Sequence, residues 1–175
     1  RFSLADVKTT AVSGEDGFCI NGFKGVVLGG PSADFLVVPA RSSGSQTDEE
    51  GISLFLVDAQ SEGVQRRNYP TIDGFRASEV TFKDVEVSSD AVLGEIDGGL
   101  EPLQFAIDQA IMAVGAEATG AMEVLYKSTV EYCKTREQFG QPIGKFQVLQ
   151  HRMVDMFIEH EQTKSLAYMA AMRLA

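Results

Sequence analysis

The sequence predicts an α+β fold in which an antiparallel β-sheet or β-barrel precedes long antiparallel helices. The chain has 175 residues and changes character near residue 95. Before that point, short apolar runs alternate with turn residues and no helical segment separates them, which is typical of an antiparallel sheet or barrel. After Gly98 and Gly99, apolar residues recur at three- and four-residue steps, which is typical of amphipathic helices. We therefore expect two domains, over residues 1–95 and 96–175.

Five apolar segments of the first half predict strands. The first ends at Asn21 and Gly22, a dipeptide that favours a two-residue hairpin turn. Pro39 is expected to close the third strand, because proline cannot donate to a ladder. Residues 41–51 are rich in Ser, Gly and acidic residues, which predicts an exposed loop. The five predicted strands lie at residues 18–20, 26–28, 34–40, 52–57 and 79–87.

The second half predicts two long helices. The first begins after Gly99 and continues to about residue 134, a length of about 50 Å at 1.5 Å per residue. The second begins near Phe146 and continues to the end of the sequence. Two amphipathic helices cover only part of each other's apolar stripe, so we expect further helices, from the same protein or from another subunit, to complete the packing.

Composition limits the classes of function. Hydrophobic residues make up 44% of the chain and charged residues 23%, which is ordinary for a globular protein. The net charge of −10 disfavours nucleic acid and anionic membrane surfaces as general partners. Cys19 and Cys133 lack metal-ligand spacing, and His151 and His160 have no nucleophile or metal partner, so no metal site is predicted. No apolar run approaches the roughly 18 residues of a membrane span.

Two further expectations concern the cell and the chain ends. Sparse cysteine fits the cytoplasm, or another reducing compartment such as the mitochondrial matrix. The sequence begins at Arg1 without an initiator Met and ends in a helical pattern, so we expect it to be a piece of a longer protein.

Residues 135–147, between the predicted helices, combine an arginine, a Gly/Pro turn, two aromatic residues and several amides. An arginine can hold phosphate oxygens with two parallel hydrogen bonds. A Phe can cover a ring, and a Gln amide can bond to a ring or a ribose. The combination favours a flat, anionic, partly aromatic ligand. The alternative is that Arg136 caps helix carbonyls and the Phe residues fill the core.

The same segment resembles the flavoprotein acyl-CoA dehydrogenase family. The family pattern is an aromatic residue, a short spacer, Arg-x-x-Phe-Gly-x-Pro-Ile, a Phe-Gln pair and a later Asp-Met pair. In the first half, Asn21-Gly22-x-Lys24 and residues 80–87 and 93–95 also resemble the family's β-domain. The resemblance covers most of the middle β-domain and the first two helices of a C-terminal four-helix bundle. The residues that match the first pattern are Tyr132, Arg136, Phe139, Gly140, Pro142, Ile143, Phe146, Gln147, Asp155 and Met156.

The resemblance implies an FAD-dependent oxidoreductase of acyl-CoA and fatty acid metabolism. Such an enzyme introduces an α,β double bond into an acyl-CoA thioester and passes the electrons to an electron-transfer flavoprotein. It is expected to be a dimer or tetramer, in which the loop between the helices holds the ADP half of a neighbouring subunit's FAD. The implied cofactor-binding residues are Arg136 at the pyrophosphate, Gln138, Phe139, Ile143, Phe146 and Gln147 around the adenosine half, and Val27 and Leu28 beside the flavin ring.

Three departures from the family pattern concern the chemistry. Residues 26–28 are Val-Val-Leu where the family has an aromatic, an aliphatic and a Thr or Ser against the flavin ring. Ala110 and Ile111 stand where some members carry the catalytic base and a following Arg; other members take the base from later sequence. Asp108 matches a substrate-contacting position, so we assign it to substrate binding and assign no catalytic residue. Residues 1–7 match only the end of a loop that cradles flavin and substrate.

Two functions therefore stay open. The first is an acyl-CoA dehydrogenase-type enzyme, of which this piece alone is inactive. Acyl-CoA oxidases and nitroalkane oxidases would look alike over this region. The second is a non-catalytic or degenerate subunit that acts in assembly and completes the FAD site of an active partner.

Overall fold

The structure is a computed structural model that describes residues 3–174. The chain divides into two compact units, Arg1–Gln104 and Phe105–Ala175.

Strands dominate the first unit. Its described strands are β1 (Thr10–Ser13), β2 (Gly17–Leu28), β3 (Phe35–Arg41), β4 (Ile52–Asp58), β5 (Val64–Pro70), β6 (Arg76–Ser88) and β7 (Val92–Leu93). They form one sheet with the order β5-β6-β2-β1-β3-β4-β7. Neighbouring strands pair antiparallel, except that β1 and β3 pair in parallel, with Thr10 opposite Arg41.

The sheet is therefore mixed and open between β5 and β7, and the prediction of a purely antiparallel sheet or barrel is wrong in those two respects. Apolar alternation shows which face of a strand is buried, but it carries no signal for the direction of the neighbouring strand. The α+β class and the mostly antiparallel pairing are confirmed.

The core of this unit lies where alternate residues of β2, β3, β4 and β6 meet. Val38 and Phe55 face each other across β3 and β4, and both are at most 2% exposed. The Phe18 ring packs edge-on against Phe55, with ring centroids 5.1 Å apart. Each such side chain contributes roughly 1.5–3 kcal/mol on burial, which fixes the register of the strands.

The turn predicted at Asn21 and Gly22 is wrong, because β2 continues through both residues. The hairpin turn between β1 and β2 lies at Gly14 and Gly17, where the Gly14 N–H donates to the Gly17 carbonyl at 2.8 Å. A register shift at Ile20 and Gly22 marks a β-bulge instead. A Cβ at Gly22 would lie 2.6 Å from the Cα of Thr9, so the glycine permits a close approach of two backbones.

Pro39 also departs from its prediction, since it lies inside β3 opposite Leu54 and does not close the strand. β1 pairs with β3 only at Arg41, so the edge of β3 at Pro39 has no ladder partner on that side. A missing N–H there breaks no ladder bond, which is why the proline is tolerated. The Pro39 carbonyl accepts a hydrogen bond from Lys24 Nζ at 2.7 Å.

The second unit contains most of helix α1 (Leu100–Thr135) and all of α2 (Gln147–Leu174), close to the predicted bounds. The helices meet where the Tyr126 ring lies 5.8 Å from the Phe157 ring and 5.1 Å from the imidazole of His160. Many of their other apolar side chains are exposed, including Phe105, Val114, Leu166 and Met172. Packing against further helices of a four-helix bundle stays a prediction. Within residues 3–174, no helix combines the length and apolarity that a membrane crossing needs.

Candidate functional site

The connection between α1 and α2 is a small hydrogen-bonded hairpin. The Arg136 N–H donates to the Tyr132 carbonyl, and the Ile143 N–H donates to the Arg136 carbonyl, both at 2.8 Å. Two short strands follow, β8 (Glu137–Gln138) and β9 (Gln141–Pro142), which pair antiparallel. Phe139 and Gly140 form the turn between them with φ of 55° and 75°. A type I′ turn requires positive φ at both central residues, so the sequence Phe-Gly is placed in a tight hairpin tip.

A 3₁₀ turn, Ile143–Lys145, then brings the chain back against the end of α1. A Cβ at Gly144 would lie 2.9 Å from the carbonyl oxygen of the buried Cys133, so only glycine permits this approach. The Gly144 carbonyl accepts a hydrogen bond from Gln150 Nε2 at 2.8 Å. Both ends of the hairpin are therefore tied to helices, and the tip is held in one orientation.

The side chain of Arg136 is exposed on this hairpin. Within the described part of the chain, its guanidinium forms no hydrogen bond or ion pair, so it does not cap helix carbonyls. The hydroxyl of Thr135 does that instead, at 3.2 Å from the carbonyls of Glu131 and Tyr132. A permanently charged planar group with all its donors available is suited to phosphate or carboxylate oxygens.

Two aromatic rings accompany the arginine. Phe139 is 91% exposed, and its ring lies edge-on to that of Phe146 with centroids 6.1 Å apart. An exposed Phe with positive φ is unfavourable for two reasons. Its large apolar ring is exposed to water, and its backbone adopts a conformation that asparagine or glycine adopts more easily. The core-filling alternative does not apply to Phe139. An aromatic ligand packed on this ring would remove its apolar surface from water.

The remaining loop residues provide polar contacts and a helix end. The Gln138 amide donates to its neighbour's carbonyl, the Glu137 oxygen, at 2.8 Å, which leaves the Gln138 amide oxygen as an acceptor. Gln147 begins α2, whose first turn carries no acidic residue, so the partial positive charge of its N-terminus is not neutralised there. With Lys145 one turn away, the local charge favours an anion although the whole chain is acidic.

In the first unit, the end of β2 carries the two residues predicted beside a flavin ring. Val27 is half-buried against the core, whereas Leu28 is 72% exposed. Between Lys24 and Val27 the register shifts, and Val26 takes a φ of 53°, which is an outlier for a β-branched residue. Such strain costs roughly 1–3 kcal/mol and clusters at functional sites. This strand end offers apolar side chains and backbone groups to a flat ring, and no side-chain hydroxyl at residues 26–28.

Lys24 is a residue that the sequence marked only as part of a motif. Its hydrogen bond to the Pro39 carbonyl holds the ammonium in a half-buried position, where desolvation lowers its pKa from 10.5 to about 8. No local pattern indicates this burial, because the ammonium meets the carbonyl of Pro39 in β3, 15 residues further along the chain.

Six of the predicted site residues thus lie in one structural feature, the hairpin and turn over residues 136–147. Val27 and Leu28 lie at the end of β2, and Asp108 lies half-buried on α1. Ala110 and Ile111 are exposed and cannot accept a proton, so no base is assigned at these two positions. Residues 3–174 contain no group of three or more His, Cys, Asp or Glu arranged to hold a metal ion.

Comparisons with known proteins find similar sequences and similar folds. Residues 1–85 match the sequence model of the acyl-CoA dehydrogenase middle domain, and residues 97–175 match that of the acyl-CoA dehydrogenase C-terminal domain. The caffeyl-CoA reductase–Etf complex subunit CarC of Acetobacterium woodii is 31% identical over 94% of this chain and 44% of its own length.

Two solved structures have the same fold over this region. Butyryl-CoA dehydrogenase from Megasphaera elsdenii is 30% identical, with a TM-score of 0.87 over 97% of this chain and 45% of that one. PigA, solved with FAD and proline, is 27% identical, with a TM-score of 0.88 over 94% of this chain and 44% of that one. The chain spans less than half the length of these relatives.

Proposed function

Because the chain belongs to the acyl-CoA dehydrogenase family, we propose that it contributes a middle β-domain, residues 1–95, and two helices of a C-terminal domain, residues 96–175, to an FAD-dependent oxidoreductase. The proposed reaction introduces a double bond between Cα and Cβ of an acyl-CoA thioester. When bound, FAD supplies the two-electron acceptor for this oxidation. We propose that the electrons then pass to an electron-transfer flavoprotein; the name of the relative CarC, a subunit of an Etf complex, supports this partner.

The observation that carries the proposal is the hairpin between α1 and α2. It holds an unpaired arginine and a 91% exposed Phe139 on a backbone fixed at both ends. We propose that Arg136 binds the FAD pyrophosphate and that Phe139, Ile143 and Phe146 pack around the adenosine half. Since the loop is ordered by its own hydrogen bonds, little conformational entropy is lost when the ligand binds.

The amides and the strand end complete the proposed contacts. Gln138 and Gln147 are proposed to hydrogen-bond to the adenosine half. Val27 and Leu28 are proposed to contact the flavin ring through apolar packing, and Asp108 to contact the acyl-CoA substrate. We assign none of these residues as the base that removes the proton from Cα. The base is proposed to come from other sequence of the whole protein.

We also propose that the hairpin serves the FAD of a neighbouring subunit in a dimer or tetramer. The exposed apolar residues along α1 and α2, such as Val114 and Leu166, support an assembly in which these helices are covered. The proposed location is the cytoplasm or another reducing compartment such as the mitochondrial matrix. Cys19 and Cys133 support it, since both are free thiols.

A second candidate function is a degenerate subunit that completes the FAD site of an active partner. The observation that favours it is the absence of a side-chain hydroxyl at residues 26–28, together with the exposed Ala110 and Ile111 in place of a base and an arginine. Such a subunit would keep the hairpin over residues 136–147 but would not catalyse the oxidation of an acyl-CoA.

The two candidates separate in the purified full-length protein. For the enzyme, we expect a yellow protein whose flavin absorbance is bleached by an acyl-CoA under anaerobic conditions. A colourless protein, or a bound flavin that no acyl-CoA reduces, would refute the enzyme and favour the degenerate subunit. The isolated piece over residues 1–175 is expected to show no turnover, and measured turnover would contradict the assignment of the base to other sequence.

A further inference from the structure

Arg41, the last residue of β3, is the centre of a junction that the proposed function does not use. The residue is 7% exposed. Its Nη1 donates to the carbonyls of Asp48 and Glu50 at 3.0 and 2.6 Å. Its Nη2 donates to the carbonyls of Ala5 and Gln46 at 2.7 and 2.9 Å. One guanidinium therefore joins the chain before β1 to the loop between β3 and β4.

Backbone bonds surround the same junction. The Arg41 N–H donates to the Thr9 carbonyl at 2.7 Å, and the Val7 N–H lies 3.1 Å from the Gln46 carbonyl. The side chain of Gln46 donates to Asp6 Oδ1 at 2.5 Å. Residues 5–9 are thus held at four points, Ala5 and Thr9 by Arg41, and Asp6 and Val7 by Gln46, whose own carbonyl also bonds to Arg41.

The choice of arginine at this position needs a reason beyond packing. Within residues 3–174, no carboxylate hydrogen-bonds to the guanidinium, and its Nε is buried without a partner. A buried cation compensated by carbonyls alone is unfavourable compared with an apolar side chain of similar volume. Its planar fork can do what an apolar residue cannot, which is to bond several carbonyls of two separate segments in fixed directions.

We propose that Arg41 is a positioning residue that fixes the path of residues 5–9 and, through them, the affinity of the whole protein for FAD. The second half of this proposal rests on the proposed function and on the family resemblance, which implies that residues 1–7 are the end of a loop that cradles flavin and substrate; Arg1 and Phe2 lie outside the described residues. The first half rests on the junction itself.

The test uses the full-length protein and three variants. Arg41→Gln removes the charged fork, and Arg41→Lys keeps the charge but cannot reach four carbonyls. Val57→Ala is the control, because Val57 is fully buried in β4 opposite Leu36 and is expected to lower stability without touching the junction. Two quantities are measured for each protein: amide hydrogen exchange of residues 3–9 and 42–51, and the FAD dissociation constant.

In Arg41→Gln, we expect exchange of residues 3–9 to accelerate at least tenfold and the FAD dissociation constant to rise at least tenfold, since even one lost charge-assisted bond is worth about a factor of that size. Arg41→Lys should lie between this variant and the wild type. Val57→Ala should lower the melting temperature. It should leave the exchange of residues 3–9 and the FAD dissociation constant unchanged.

Unchanged exchange of residues 3–9 in Arg41→Gln would overturn the proposal, as would an FAD dissociation constant equal to that of Val57→Ala. If Arg41→Gln does not fold, Arg41→Lys decides by the same criteria. If the wild-type protein binds no FAD, the proposed function and the affinity half of this proposal both fail. Faster exchange in Arg41→Gln would then still show that Arg41 holds the segment.

Discussion

Replacing Arg136 with glutamine tests the proposed FAD site most directly. The substitution removes one exposed positive charge and the planar fork from the base of a hydrogen-bonded hairpin. The backbone of residue 136 keeps its two hydrogen bonds, to Tyr132 and Ile143, because both use main-chain atoms. The expected result is a protein that folds normally and binds FAD poorly.

The magnitude follows from the environment of the side chain. Since the Arg136 side chain is exposed and has no partner within residues 3–174, stability should change by no more than about 0.5 kcal/mol. A hydrogen bond from a charged group is worth about 1.5–3 kcal/mol, so loss of a two-bond grip on the pyrophosphate, discounted for solvent exposure, should weaken binding by roughly 2–3 kcal/mol. This corresponds to a rise of about 30- to 150-fold in the FAD dissociation constant.

The assay is a titration of the deflavinated full-length protein with FAD, followed by flavin fluorescence, beside thermal unfolding of the same samples. Arg136→Lys keeps the charge but loses the fork, so its affinity should lie between those of the wild type and Arg136→Gln. The control is Arg67→Gln, which removes an exposed arginine from β5, where Arg67 pairs with Glu79 at 2.8 Å. It should bind FAD as the wild type does.

An Arg136→Gln protein whose FAD dissociation constant stays within about threefold of the wild-type value would refute the reasoning, because a change that small is less than one charged hydrogen bond. A large loss of stability in the same variant would show instead that the side chain has a structural partner.

Three further predictions concern the hairpin and the sheet. Phe139→Asn should leave stability unchanged or raise it by up to about 1 kcal/mol, because asparagine tolerates positive φ in a type I′ turn. The same variant should bind FAD more weakly. A lower unfolding midpoint in urea would show that the backbone of Phe139 is not strained. Gly144→Ala should destabilise the protein by about 1–3 kcal/mol, since the new Cβ meets the Cys133 carbonyl, whereas a urea midpoint equal to the wild-type value would show that the loop can shift freely. Burial lowers the pKa of Lys24 to about 8, so between pH 8 and 10.5 the unfolded state binds more protons and the folded state gains stability as pH rises. Across this window, the free energy of unfolding of the wild type should rise by up to about 3 kcal/mol relative to that of Lys24→Met. If the two proteins give parallel curves of unfolding free energy against pH, the ammonium of Lys24 is not buried.

The helices show how far a local pattern can be followed. Apolar residues at three- and four-residue steps predicted α1 and α2 to within about two residues, because an amphipathic stripe has the same period in any protein. The strands with clear apolar runs, β3, β4 and β6, were predicted for the equivalent reason. β5 was missed because its sequence, from Val64 to Pro70, is mostly polar and exposed at an edge of the sheet. It is a strand only because β6 provides a ladder beside it.

The candidate site also has one part that could be predicted from the sequence and one part that could not. Residues 136–147 are contiguous, so their types and order in the sequence were enough to predict a site for a phosphate and a ring. The half-buried ammonium of Lys24 and the four-carbonyl junction of Arg41 were not predictable, since each depends on segments far apart in the chain. The bulge beside Val26, which has a positive φ, lies where the pairing of β2 with β6 shifts register, and that shift depends on a strand far along the chain.

What the sequence by itself determined is local: the α+β class, the two helices, the family and the loop that is proposed to bind FAD. Each of these depends on patterns of residues that lie close together along the chain. What only the tertiary structure decided is which strands are neighbours and in which direction. The parallel contact of β1 with β3, the continuation of β2 through Asn21 and Gly22, and the convergence of Ala5, Gln46, Asp48 and Glu50 on Arg41 follow from that decision. Strand order is set by burial summed over the whole sheet, and no single segment of sequence carries that sum.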